Sequence, residues 1–127
     1  MKLGCICGTF NRSFDSGAMD QIRFLHRCVA DLKVQGVELQ DIHFPQTRSA
    51  YLAMLRRTAR ELNLSIVAVG AHNDFGRIDG TLRQSEVTKV KQWVEVAEQL
   101  GLCGFRVRSQ AGQRCHRPAA RGPDARQ

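Results

Sequence analysis

Glu38 and His72 are the side chains of this sequence best suited to chemistry, with Asn73 and Asp74 directly after the histidine. An unperturbed imidazole titrates near neutrality, so His72 could move a proton. A carboxylate drawn into a protein interior needs partners. Glu38 could take a hydroxyl, a cation or His72 itself. Asn73 and Asp74 could add hydrogen bonds to the same ligand. The plain alternative is that Glu38 and His72 only satisfy each other.

Other candidates have simpler readings. Asp41 and His43 form an Asp-x-His pair that could reach a ligand, but a polar strand end accounts for them. Arg56, Arg57 and Arg60 could be a phosphate patch; a solvated helix face accounts for them. Arg77 and Arg83 could meet a phosphate or simply face solvent from a loop. Cys5 and Cys7 share one side of the chain if that segment is extended. A C-x-C pair could bind metal, yet free cysteine packs as a small hydrophobe. His26 reads as a surface helix residue, and Cys115-His116 sits in a stretch poorly suited to a metal site.

The 127 residues suffice for one domain. Five cysteines, at 5, 7, 28, 103 and 115, are an odd number without framework spacing, which argues against a disulfide scaffold. The net charge of +7 is unevenly spread. Residues 1–107 carry 14 Lys/Arg and 11 Asp/Glu, whereas residues 108–127 carry five Arg and one acid. More than half of the excess therefore lies in the last 20 residues, which weakens a nucleic-acid reading. No stretch approaches the ~20 apolar residues of a membrane span. The expected location is cytoplasmic, with no nucleic-acid or membrane partner.

Positioning these side chains falls to alternating strands and helices. Residues 2–10, 36–44, 65–75 and 104–108 read as strands. Between the first two, Met19, Ile22, Leu25, Val29 and Leu32 recur at helical spacing. Asp15 or Ser16 is expected to cap that helix and Gly36 to end it. Leu52, Leu55, Ala59 and Leu62 mark a second helix. Val87, Val90, Val94, Ala97 and Leu100 mark a third, with Trp93 beside the stripe and Gly101 as the stop. The order predicts an α/β fold with a parallel sheet and helical crossovers. About three βα units and a fourth strand occupy residues 1–108. Residues 109–127 lack Leu, Ile and Val and read as a disordered or non-native tail. A frameshifted or prematurely ended reading frame would produce such a tail.

Period-two alternation assigns the faces. Val37 and Leu39 suit the helix side of the second strand, which turns Glu38 and Gln40 inward. Val67, Val69 and Ala71 suit the helix side of the third, which turns Ala68, Gly70 and His72 inward. Glu38 and His72 are thus expected near the carboxyl ends of neighbouring strands, within reach of one small ligand.

"GVELQ", "AVGAHNDFG" and "KVKQWVEVAEQLG", in that order, resemble the sugar phosphate isomerase/epimerase family. Its members are xylose isomerase-like (β/α)₈ barrels, structural relatives of endonuclease IV. The likeness spans about residues 2–108. It implies the N-terminal half of a TIM barrel, a parallel (β/α) half-barrel, since a whole one takes ~250 residues. It also implies substrate-binding roles for Glu38, His72, Asn73 and Asp74, and a small sugar or sugar phosphate as ligand. The family commonly holds a divalent metal (Mn²⁺, Mg²⁺, Co²⁺ or Zn²⁺) through Glu, Asp, His and Glu on later strands. Those strands have no counterpart here, so no metal ligand and no cofactor is expected in this fragment.

The family activity so implied is metal-dependent proton transfer next to a sugar carbonyl, as in aldose–ketose isomerisation or epimerisation. Without the metal carboxylates this chain is expected to show no turnover. A second expectation is a non-catalytic fragment that self-associates through exposed barrel edges. A third, an abasic-site nuclease like endonuclease IV with His72 on zinc, gains little from the modest charge of residues 1–107.

Overall fold

The computed structural model describes residues 1–102 and 104–109. Four strands, β1 (Gly4–Ile6), β2 (Gly36–Gln40), β3 (Ser65–Asn73) and β4 (Phe105–Ser109), alternate with four helices. These are α1 (Asn11–Asp15), α2 (Gln21–Ala30), α3 (Ser49–Glu61) and α4 (Gly80–Gln99). The strands form one parallel sheet in chain order, β1-β2-β3-β4. The expected tail, apart from Ser109, lies outside the described residues, as does Cys115-His116. No helix among the described residues is long and apolar enough to cross a membrane.

One sheet face packs on the helices. Val37, Leu39, Val69 and Ala71 are fully buried there. Phe24 and Leu25 of α2, Leu52 and Leu55 of α3 and Val96 of α4 complete the layer. Each Val, Leu or Phe among these contributes about 1.5–3 kcal/mol by leaving water. Phe10 and Phe14 close one end, with ring centroids 5.8 and 6.2 Å from that of Phe24.

Several local details differ from the sequence expectation. β1 ends at Ile6, and Cys7 begins a 3-10 turn (Cys7–Phe10), so Cys5 and Cys7 do not share one side of a strand. Residues 11–15 form α1, which carries no repeating apolar pattern. The cap of α2 is Asp20, whose carboxylate accepts the Arg23 N–H at 2.8 Å, rather than Asp15 or Ser16. That helix stops at Ala30, Leu32 is exposed, and Gly36 opens β2 instead of ending the helix.

Helix α4 begins at Gly80, seven residues before the first stripe residue Val87, because Asp79 caps it through the Thr81 and Leu82 N–H groups. Val94 is exposed; Val96 and Ala97 face the core, and Trp93 packs edge-on to Phe44. The helix ends at Gln99, and Gly101, just past the cap residue Leu100, has a φ of 73° that suits a residue without a Cβ.

The largest difference is in β3. Val37 pairs with Ile66, but Glu38 pairs with Ala68, so Val67 is a bulged extra residue. Ile66 therefore takes the core-facing role assigned to Val67. Val67 is 53% exposed on the opposite face, against Gly36. Beyond the bulge, Ala68, Gly70 and His72 share the face of Glu38 and Gln40.

Candidate functional site at the carboxyl ends of β2 and β3

The two central strands end side by side, with Gln40 paired to Gly70. One residue further, β2 tightens into a 3-10 turn (Asp41–His43), which turns Asp41 towards β3. Asp41 Oδ2 accepts the backbone N–H of His72 at 2.9 Å. Oδ1 lies 2.6 Å from His72 Nδ1 and also accepts the Ile42 N–H at 2.9 Å. A carboxylate oxygen can only accept, so Nδ1 of His72 is the donor, and in the neutral ring the lone pair falls on Nε2. Among the described residues that Nε2 has no partner. The Asp41 side chain is 4% exposed and that of His72 20%, so the carboxylate is covered and the ring reaches the surface.

Lys89 of α4 braces the pair. Its Nζ donates to the His72 carbonyl at 2.6 Å and stands 3.9 Å from Asp41 Oδ2. The result is an imidazole fixed in tautomer and direction, the arrangement that general acid–base chemistry requires.

Glu38 is not part of this group. It lies on the same face, but level with Ala68, four residues before His72. At ~3.3 Å per residue the two sit roughly 13 Å apart along the strands. Period-two alternation gives the correct face but not the height, so one small ligand does not span both. Glu38 Oε2 lies 3.6 Å from Arg106 Nη1, and Oε1 is buried without a partner. Nor do Glu38 and His72 satisfy each other.

Asn73 is the last residue of β3 rather than a loop residue, and alternation puts it on the face of Val69 and Ala71. It is 3% exposed, with both polar side-chain atoms unpartnered. Asp74 belongs to the following loop. Its N–H donates to Glu86 at 3.0 Å, its Oδ1 accepts the Gly76 N–H, and Arg77 lies 3.7 Å from Oδ2. Arg83 donates to the Arg77 and Ile78 carbonyls. Arg77 thus lies against Asp74 and Glu86, and Arg83, which belongs to the first turn of α4 rather than to the loop, turns back onto the loop carbonyls.

A second histidine, His43, faces Cys7 with Nδ1 3.0 Å from Sγ, and its ring stacks on Phe14 at 3.9 Å. The pair has the composition of a Cys–His nucleophile but not its electrostatics. Burial pushes the Cys7 thiol up to about 12 and holds His43 below its ordinary value. Near neutral pH both are uncharged, and Cys7 is fully buried. This is core packing with a polar contact. Gln40 is also buried, its amide against Gly8, where a Cβ would stand 3.0 Å from both amide heteroatoms.

Arg56, Arg57 and Arg60 lie with Ser49, Leu52, Ala53 and Gln99 around a cleft of about 460 Å³ on the helix layer, away from His72. Among the described residues, no three His, Cys, Asp or Glu side chains converge where a metal ion could sit.

Sequence reasoning missed Asp41 as the partner of His72, and Lys89 as the brace. The signal for Asp41 was present. Once Gln40 is level with Gly70, the next residue of β2 stands beside Ala71 and His72.

No protein-family profile and no curated protein matches the sequence. Among solved structures the chain is similar to a crystal structure of D-psicose 3-epimerase in the presence of D-fructose. The TM-score is 0.64 at 16% identity, over 84% of this chain and 37% of that one. The chain thus spans little more than a third of the length of the structure it matches. At this identity the likeness carries the fold: four parallel strands with helical crossovers, as in the first half of a TIM barrel.

Proposed function

We propose that this chain is a sugar phosphate isomerase/epimerase-like half-barrel, which supplies a sugar-contacting and proton-transferring part of an epimerase-type site. The observation that carries the reading is the Asp41–His72 pair at the carboxyl ends of β2 and β3. Sites of (β/α)₈ barrels are built at that end, and the fold is shared with a sugar epimerase.

Asp41 would hold the imidazole so that Nε2 points out of the strand ends. Nε2 would then accept a proton from a hydroxyl, or from the carbon beside a ketose carbonyl, and return it. Asp41 would stabilise the imidazolium formed between the two steps. A divalent metal is common in the family the sequence resembles. The described residues do not bring together its ligand set.

The test is direct binding. The His72 ring resonances of the 127-residue protein are followed by NMR while D-fructose is added. Saturable shifts at the His72 ring, lost or displaced in Asp41→Asn, are expected. Shifts that scale linearly with sugar and are the same in Asp41→Asn would end the reading.

A further inference from the structure

The sheet has, among the described residues, two unpaired edges and one face without helices. Among the described residues no strand pairs with the outer side of β1 or of β4. Helices among the described residues cover only the face of Val37, Leu39 and Val69. The other face presents Ile6, Glu38, Val67, Ala68 and Arg106, with Val67 53% exposed. Parallel sheets are stable when both faces are covered, and unpaired edges recruit further strands.

The sheet also climbs. The middle residue of β1, Cys5, is level with Val37 and through it with Ile66. The middle residue of β4, Val107, is level with Ala71. From Ile66 to Ala71 is five residues along β3, one of them the bulged Val67, which leaves a climb of four over three strand steps. An eight-stranded barrel of shear 8 climbs about one residue per strand. The four strands therefore have close to the stagger of half a closed barrel.

We propose that a second copy of this chain covers the open face, with β4 of each copy pairing in parallel with β1 of the other. A two-fold rotation about the barrel axis moves each strand four places on and preserves its direction. Four strands and their copies thus close an eight-stranded parallel barrel with both junctions identical. Residues 110–127 hold no Leu, Ile, Val, Met, Phe, Tyr or Trp with which an apolar face could be covered. The enclosed layer suits a self-pairing: Ile6, Val67 and Ala68 are apolar, and each copy brings one acid, Glu38, and one base, Arg106. Closure would bring two Asp41–His72 pairs to one mouth. Nothing in the pairing depends on the sugar reading.

The experiment measures the mass of the 127-residue protein by light scattering at micromolar concentration and hydrogen exchange across β1 and β4. Twice the 14.2 kDa chain mass, with amides of both edge strands protected, is expected. Val67→Lys, which places a charge in the enclosed layer, should return the protein to a single-chain mass with its far-ultraviolet circular dichroism unchanged. A single-chain mass for the parent protein would overturn the proposal. So would a ladder of larger species, or a dimer in which only one edge strand is protected. The parent measurements decide the matter even if Val67→Lys does not fold.

Discussion

Asp41 and His72 are joined at two points, through the backbone N–H of His72 at 2.9 Å and through its ring Nδ1 at 2.6 Å. The carboxylate therefore ties the end of β2 to the end of β3 whether or not the ring is used in chemistry. Ile42 donates a third N–H to it.

This makes the two residues unequal. Asp41→Ala strips three donors of their acceptor in a covered position, and a loss of about 3 kcal/mol is expected. His72→Ala keeps both backbone bonds to Asp41 and should cost about 1 kcal/mol. Urea denaturation of the two variants checks the order; a larger loss in His72→Ala would contradict the geometry.

His43 should make stability depend on pH. Burial holds its folded value below the ordinary 6.5, so the unfolded chain binds its proton first. The contribution is full above about pH 6.5 and is lost as pH falls towards the folded value. The slope from this one group is at most about 1.4 kcal/mol per pH unit. Between pH 7 and 5, His43→Gln should lose less stability than the parent protein. Parallel curves would show that His43 takes up its proton as readily in the fold as in the unfolded chain.

The thiols of Cys7 and Cys28 are both pushed up to about 12 by burial, and both are fully covered. Neither should react with iodoacetamide at pH 8 until the protein unfolds. Peptide mass spectrometry with and without guanidinium reads this directly. Rapid native alkylation of Cys7 would revive the Cys7–His43 pair as a nucleophile.

The cap of α2 rests on one side chain. Asp20→Ala should cost about 1 kcal/mol and lower the melting temperature by about 3–5 °C. Asp15→Ala, on the residue that sequence reading offered as the cap, should change little. Paired thermal melts distinguish the two.

Much of the fold was legible in the sequence. Leu52, Leu55 and Ala59 are buried as the spacing of α3 predicts, and the strand order follows from the strand–helix alternation. The failures share a cause: periodicity reports which way a side chain points, not how far along the sheet it stands. Glu38 has the face expected of it but the wrong height to meet His72. Asp41 has the right height because β2 tightens into a 3-10 turn, which no period-two pattern reveals. Val67 broke the alternation because a bulge adds one residue without a hydrophobic signal of its own.

That bulge leaves β3 with a spare codon. Losing codon 67 would restore plain alternation: Ile66 would stay on the core side, Ala68 would still pair with Glu38, and His72 would keep its face. β2 holds no such reserve. Losing codon 39 would turn over every residue after it relative to its neighbours and pull Asp41 away from His72. A lineage carrying this domain could therefore shorten β3 by one residue and keep its site, whereas the length of β2 is frozen.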